Sequence, residues 1–342
     1  MSKPTVLVTG ASGFIAKHCI AELLREGYPV QATLRNPARA DETRRAIANA
    51  GADASTVRFI AADLLSDTGW DEAAAGCTYV LHVASPFPLK NPRNPQDVIR
   101  PAREGALRVL RAATRASVKR VVLTSSIVAV TLPWPEAEPG HVFDETDWSN
   151  PGRPDVTPYV VSKTVAEKAA WDFVDATPSA PELTVVNPGF VLGPAVDADL
   201  STSHEVIRLM GNGSYPVAPK IGFPISDVRD VVVTHILAMI HTGAAGQRFL
   251  SANGFLHLYE VGQLVKQTLP DVGKKVPRGE MPDFLVRALS LVDRRLKAVL
   301  ADLGFPRPVS SAKAQQMLGQ SFRSPQEAVV SAARSLREQG II

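Results

Sequence analysis

The 342-residue chain is 45% hydrophobic and 21% charged, with a formal net charge of +3 at neutral pH. The apolar share is enough for a sizeable core in one large domain or two ordinary ones. A balance this close to neutrality excludes a polybasic surface, so neither nucleic acid nor a membrane surface is an expected partner.

Residues 6–8 open the chain as a short buried strand. The apolar run around them is too short, and too soon followed by glycine, for a signal peptide. No stretch approaches the ~20 apolar residues of a membrane span. Next comes Thr9-Gly10-Ala11-Ser12-Gly13-Phe14-Ile15-Ala16. In a strand-turn-helix setting this is a phosphate-binding turn. Gly10 permits the tight turn, Gly13 lets backbone approach a pyrophosphate, and Ala16 is small enough for the helix to pack on the strand. Ser12, Phe14 and Ile15 belong to the same cofactor-facing loop, where a helix N-terminus favours an anion. The helix runs over 15–25 and is closed by Gly27. Cys19 on this helix and Cys77 are the chain's two cysteines. Two make no disulfide framework, so both are read as core residues of a protein in the reducing cytoplasm.

The second strand, 30–34, is followed by Arg35-Asn36-Pro37-Ala38-Arg39, with no acid before Asp41. An NAD site usually places a carboxylate there. Arg35, with Arg39 as a second jaw, suits the 2′-phosphate of NADP(H) instead. After the third strand, 57–61, Asp63-Leu64 can meet the adenine, although Asp63 can equally cap the next segment. A fourth strand spans 80–83. A helix over 96–117 follows, in which Pro101 predicts a late start or a bend. The fifth strand, 121–124, ends in Thr124-Ser125-Ser126, hydroxyls at the sheet edge where open α/β folds bind ligands. Tyr159 and Lys163 lie four apart at the start of a helix over 159–176 and share one face. An ammonium beside a phenol favours the phenolate and would lower the tyrosine pKa. A sixth strand covers 184–186.

Successive apolar residues in these strands suit a parallel sheet covered on both faces. The expected fold is therefore α/β, a Rossmann-type doubly wound parallel sheet flanked by helices, with a smaller, mainly helical C-terminal substrate region. The division expected is a cofactor domain over 1–190, to which 225–250 returns, and a substrate region over 191–224 and 251–342. Helices are expected over 231–241 and 284–300, with Asp230 as a cap and Asp144-Glu145, before Trp148, as a structural loop.

Taken together, the pieces from Val8 to Ile15, Arg35, Asp63-Leu64, His82-Val83-Ala84-Ser85-Pro86, Thr124-Ser125-Ser126, Tyr159-Val160-Val161-Ser162-Lys163 and the run from Asn187 to Pro194 resemble the extended short-chain dehydrogenases/reductases. The likeness is to the dihydroflavonol reductase, cinnamoyl-CoA reductase and methylglyoxal/aldehyde reductase branch. It covers nearly the whole chain and is best before Pro194; Ala16 stands where the branch often has a third glycine. The resemblance implies NADPH-dependent reduction of an aldehyde or ketone. Tyr159 would be the general acid, Lys163 would hold the nicotinamide ribose and lower the Tyr159 pKa, and Ser126 would polarise the carbonyl. Thr124, Ala84 and Ser85 would lie along the cofactor, Pro188 and Val191 would flank the nicotinamide, and Arg35 and Arg39 would bind the phosphate. No metal is implied.

Phe87, Ile127, Val128, Trp134, Tyr215 and Phe223 are the candidate substrate contacts. Their apolar character favours a small aromatic or aliphatic carbonyl compound. A nucleotide-sugar epimerase or hydroxysteroid dehydrogenase shares the Ser/Tyr/Lys group and stays as an alternative. A non-catalytic NADP-sensing regulator is a third reading, since fold alone does not fix function. The protein is expected as a monomer or homodimer.

Overall fold

A computed structural model describes residues 3–86, 94–132, 140–153, 156–292, 296 and 300–342. In its first half strands alternate with helices: β1 (Val6–Val8), α1 (Phe14–Arg25), β2 (Val30–Leu34), α2 (Ala40–Asn49), β3 (Arg58–Ala61), α3 (Trp70–Ala74), β4 (Tyr79–His82), α4 (Gln96–Arg115), β5 (Arg120–Thr124), α5 (Pro158–Ala176) and β6 (Glu182–Pro188). The second half contains β7 (Phe190–Leu192), α6 (Thr202–Gly211), β8 (Ala218–Pro219), β9 (Gly222–Asp227), α7 (Val228–Ile240), β10 (Arg248–Ser251), β11 (Phe255–His257), α8 (Leu258–Thr268), β12 (Glu280–Met281), α9 (Asp283–Leu289), α10 (Ala312–Leu318) and α11 (Pro325–Glu338).

Seven strands form one sheet in the order β10-β6-β5-β4-β1-β2-β3, and every neighbouring pair is parallel. The strand order reverses between β1 and β4, which opens a crevice at their C-terminal ends. Side chains alternate between two cores, as the strand period of two requires. Leu7, Val80, Val121, Leu123 and Val185 pack with α3, α4 and α5. Val6, Val8, Leu81, Val122 and Val186 pack on the other face with α1 and α7.

Beyond β6 the chain builds a second core. Leu192, Ile207, Met210, Ile225, Val261, Val286, Val329 and Leu336 meet there. It surrounds a three-stranded sheet, β11-β9-β7. Then α7 packs on the main sheet and β10 joins its edge beside β6. No helix among the described residues is long and apolar enough to cross a membrane.

Three local expectations are corrected. The α4 helix runs unbroken from Gln96 through Pro101. The proline removes only the N–H that would bond the Asp97 carbonyl, and its burial against the core holds the helix together. Asp227, not Asp230, caps α7, its side chain accepting from Arg229 N. Asp230 instead pairs with Arg323. Finally, the helix expected over 284–300 is interrupted: α9 ends at Leu289 and a turn follows, while residues 293–295 and 297–299 of that expectation lie outside the described residues.

Candidate active site

The turn after β1 is fixed by three backbone donors. Gly10 N donates to Thr33 Oγ1 (3.0 Å), Ala11 N to Thr33 O (2.8 Å) and Gly13 N to Gly10 O (2.8 Å). Gly10 has φ +71°, and a Cβ there would lie 2.9 Å from Ala84 Cβ. The end of β4 is therefore pressed against the turn, and Thr9 Oγ1 secures it by accepting from Ala84 N (3.0 Å). At its start, α1 has no side-chain cap and no acidic residue in its first turn. Its free first-turn N–H groups and positive dipole end thus remain open to an anion, as a pyrophosphate requires. Phe14 packs its ring edge-on between His18 and His204.

Beyond β2, Arg35 is exposed and has no ion-pair partner among the described residues. Arg39 lies in a short 3₁₀ turn, Pro37–Arg39, and is already engaged: Nη2 lies 2.8 Å from Glu42 Oε1 and 2.8 Å from Asp199 Oδ2. It is not a free second jaw. The Asp199 segment is anchored again by a buried ion pair, Lys17 Nζ to Asp197 Oδ2 at 2.5 Å, and by Asn49 Nδ2 donating to Val196 O. Asp63 spends one carboxylate oxygen on Leu65 N (2.8 Å), a local turn bond, and it does not cap α3, whose N-terminus lies at Gly69. Leu64 packs its side chain against Gly105 on α4. Ala84 and Ser85 are half-buried beside the turn.

The C-terminal end of β5 carries Thr124, Ser125 and Ser126. The hydroxyl of Thr124 is taken by His235 Nε2 (2.7 Å), since His235 Nδ1 must donate to Val231 O. Ser126 caps a 3₁₀ turn over Ile127–Ala129, its Oγ accepting from Val128 N (3.3 Å). Thr157 caps α5 and Pro158 opens it, so Tyr159 falls in the first helical turn. The Tyr159 and Ser126 hydroxyls are hydrogen-bonded to each other. One turn on, Lys163 is buried and its Nζ donates to Thr124 O (3.3 Å).

Electrostatics here depart from the sequence expectation. Burial pushes the Tyr159 phenol up to about 12, with the Ser126 hydrogen bond pulling the other way. Although the ring is half-buried by surface area, the surrounding protein desolvates its hydroxyl. Burial lowers the Lys163 ammonium to about 8, opposed by the Glu167 carboxylate.

Ser126, Tyr159, Ile127, Val128 and Phe223 line one cavity of about 280 Å³, with Phe190 stacked on Phe223 at 4.8 Å. The sequence reading missed the polar part of its wall: Arg153, Asp302, Arg307 and the α6 first-turn residues Thr202 and Ser203. These residues are remote in sequence and carry no motif. Tyr215 packs on the second core and does not line the cavity. Phe87 and Trp134 lie outside the described residues. Pro188 ends β6, and Val191 is half-buried on β7, with Gly189 of the cavity wall between them. A wider groove at the opposite end of β1 and β2, lined by Arg25, Tyr28 and Arg58, contains none of the candidate site residues.

Several reductases are similar to the chain over nearly its whole length. Ketoreductase azaE of Aspergillus niger is 32% identical over 98% of each chain. Cinnamoyl-CoA reductase 1 of Petunia hybrida is 33% identical over 96% of this chain and 93% of its own. Yeast methylglyoxal/isovaleraldehyde reductase Gre2, solved with NADPH, superposes with a TM-score of 0.82 at 28% identity over 99% of this chain and 100% of its own. The sequence profile of the NAD dependent epimerase/dehydratase family matches residues 6–249, and the chain belongs to that family.

Proposed function

We propose that the protein is an NADPH-dependent carbonyl reductase that converts an aldehyde or ketone to an alcohol. The carrying observation is that Ser126 and Tyr159 line one cavity, with Lys163 buried one helical turn behind Tyr159 and bonded to Thr124 O, on the sheet that also carries an uncapped phosphate-binding turn. We assign residues 1–190 with 225–250 to cofactor binding, and 191–224 with 251–342 to the substrate site.

The bound nicotinamide supplies a hydride. The residues of the chain do the rest. Gly10, Ser12, Gly13, Phe14 and Ile15 would receive the pyrophosphate, and Arg35 the 2′-phosphate. Ser126 would donate a hydrogen bond to the carbonyl oxygen. Tyr159, with its phenol near 12, is protonated at neutral pH and is the acid for the alkoxide that forms. Lys163 sets a cation next to the phenolate that results. The reading is supported by reductase-named relatives and by an NADPH-bound structural neighbour. With its near-neutral charge and two buried free cysteines, the protein would act on a small molecule in the cytoplasm, as a monomer or homodimer.

The test is oxidation of NADPH against a panel of aldehydes and ketones, with NADH in parallel. Turnover preferring NADPH is the expected outcome. Tight NADPH binding with no turnover across the panel would overturn the reductase reading.

A further inference from the structure

One charged side chain on α5 has no role in the reading above. Glu167 follows Tyr159 and Lys163 at the same four-residue interval, so all three share a helix face. It is fully buried, and its carboxylate is surrounded by donors. Oε2 accepts from Ser125 Oγ (2.5 Å) and from Asn187 Nδ2 (3.0 Å), and Oε1 accepts from Arg248 Nε (2.6 Å). These partners come from the C-terminal ends of β5 and β6 and from β10.

Each contact leads back to the site. Ser125 directly precedes Ser126. Asn187 directly precedes Pro188, and its Nδ2 also donates to the Ser126 carbonyl (3.1 Å). With both amide protons committed, Asn187 Oδ1 is left buried without a hydrogen-bond partner. A fold that tolerates such an orphan has fixed the amide for its donors. On the far side Arg248 is held by Glu145 O and Asp147 O (2.8 Å each) and by the Trp148 ring 3.8 Å beneath its guanidinium. That explains the structural loop around Asp144-Glu145-Trp148. The charged and titratable groups facing Lys163 are Tyr159 and Glu167 on its own helix and His82 from β4; Arg248 stands behind Glu167.

We propose that Glu167 is the positioning residue of this site: a buried carboxylate that fixes the ends of β5 and β6 around Ser126 and places its charge one helical turn from Lys163. It touches neither substrate nor cofactor. For its effect on turnover the inference rests on the reductase reading; the effect on Lys163 does not.

Glu167→Gln alone leaves Arg248 buried without its counter-ion and can fail to fold. The informative variant is Glu167→Gln/Arg248→Met, which removes both charges and keeps the volume. Folding is checked by circular dichroism. The first readout is the Lys163 ¹³Cε titration in cofactor-free protein, assigned by comparison with Lys163→Arg. The expected midpoint falls below the native value, because the carboxylate on the Lys163 helix face has gone and the arginine removed with it stood farther away, behind that carboxylate. The second readout is the pH profile of kcat for NADPH-dependent reduction. Its basic limb should move to lower pH in step, and the plateau kcat should fall roughly tenfold through misplacement of Ser126. Ser125→Ala, which keeps the charge, should lower kcat and leave the Lys163 midpoint unchanged. A folded double variant whose Lys163 midpoint and basic limb match the native protein would overturn the proposal. So would a fall in kcat with neither midpoint nor limb moving, which is what a merely structural role gives. If native protein shows no NADPH turnover, the reductase reading fails, and the Lys163 titration still decides the electrostatic role of Glu167.

Discussion

Replacing Gly10 with alanine perturbs the cofactor turn in two separable ways. First, its φ of +71° is a left-handed conformation that costs an L-residue roughly 1–2 kcal/mol. Second, the new Cβ would meet Ala84 Cβ at 2.9 Å and Ala84 Cα at 3.0 Å, a contact with backbone that cannot rotate away. Overpacking of that kind costs roughly 1–3 kcal/mol. The sum, roughly 2–5 kcal/mol, is a large part of the about 5–15 kcal/mol that stabilises an ordinary domain. Gly27 supplies the control, since it has φ +80° with nothing within 4 Å of its Cβ position. Gly27→Ala should show the conformational cost alone. Adding Ala84→Gly to Gly10→Ala should recover only part of the difference, because Ala84 Cα and the backbone angle remain. Urea denaturation at constant m-value measures all four proteins, and fluorescence titration with NADPH shows whether the turn still binds cofactor. If Gly10→Ala costs no more than Gly27→Ala, the close approach of the β4 end to the turn is wrong.

Further outcomes are expected. Tyr159→Phe should retain NADPH binding and lose turnover by roughly 10²–10⁴-fold; near-native rates would remove Tyr159 from acid catalysis. Arg35→Ala should weaken NADPH by roughly tenfold or more and leave NADH nearly unchanged, as befits a lost charge-assisted bond. Arg39→Ala should do less, because its guanidinium is already shared by Glu42 and Asp199 and must exchange partners to meet a phosphate; an equal loss of both cofactors in the Arg35 variant would remove it from phosphate recognition. Burial holds His18, His82 and His235 neutral, at about 4, 3 and 4 against an ordinary 6.5. Between those values the unfolded chain binds protons the folded chain refuses, so stability is complete above about pH 6.5 and is lost as pH falls towards 4. The loss is on the order of 2 kcal/mol per histidine by pH 5, and a melting temperature that stays flat from pH 7 to 5 would contradict it.

Much of the fold was legible because local and global signals agreed. The central parallel strands are short, mostly apolar runs rich in valine, and several of the turns between elements carry glycine, proline or hydroxyl chemistry. Gly10, Gly13, Ser126, Tyr159 and Lys163 each sit in a short contiguous motif that can be read before its partners in space are known. What was illegible depends on tertiary contact. Arg39 reads as a phosphate ligand until Asp199, 160 residues away, takes its guanidinium. Asp230 looks like a helix cap, yet Asp227 precedes it and Arg323 claims it. The polar wall of the cavity comes from α6 and the segment around Arg307, where no periodicity marks a function. Glu167 was the nearest miss: the interval from Tyr159 to Lys163 repeats once more, and a charged residue on a buried helical face calls for a partner.

The pairing of Lys17 with Asp197 also bears on how the molecule melts. Lys17 belongs to the first helix of the main sheet and Asp197 to the segment that leads into the second core, and the lysine is 1% exposed. Pulling the two cores apart would break this pair together with the packing that buries the lysine. Just before the last helix, Arg323 reaches Asp230 on α7. Neither half can open alone, so heat should unfold the chain in a single calorimetric transition. NADPH, touching mainly the first half, should then raise the melting point of the whole, whereas two separated heat-absorption peaks would show the halves to be independent.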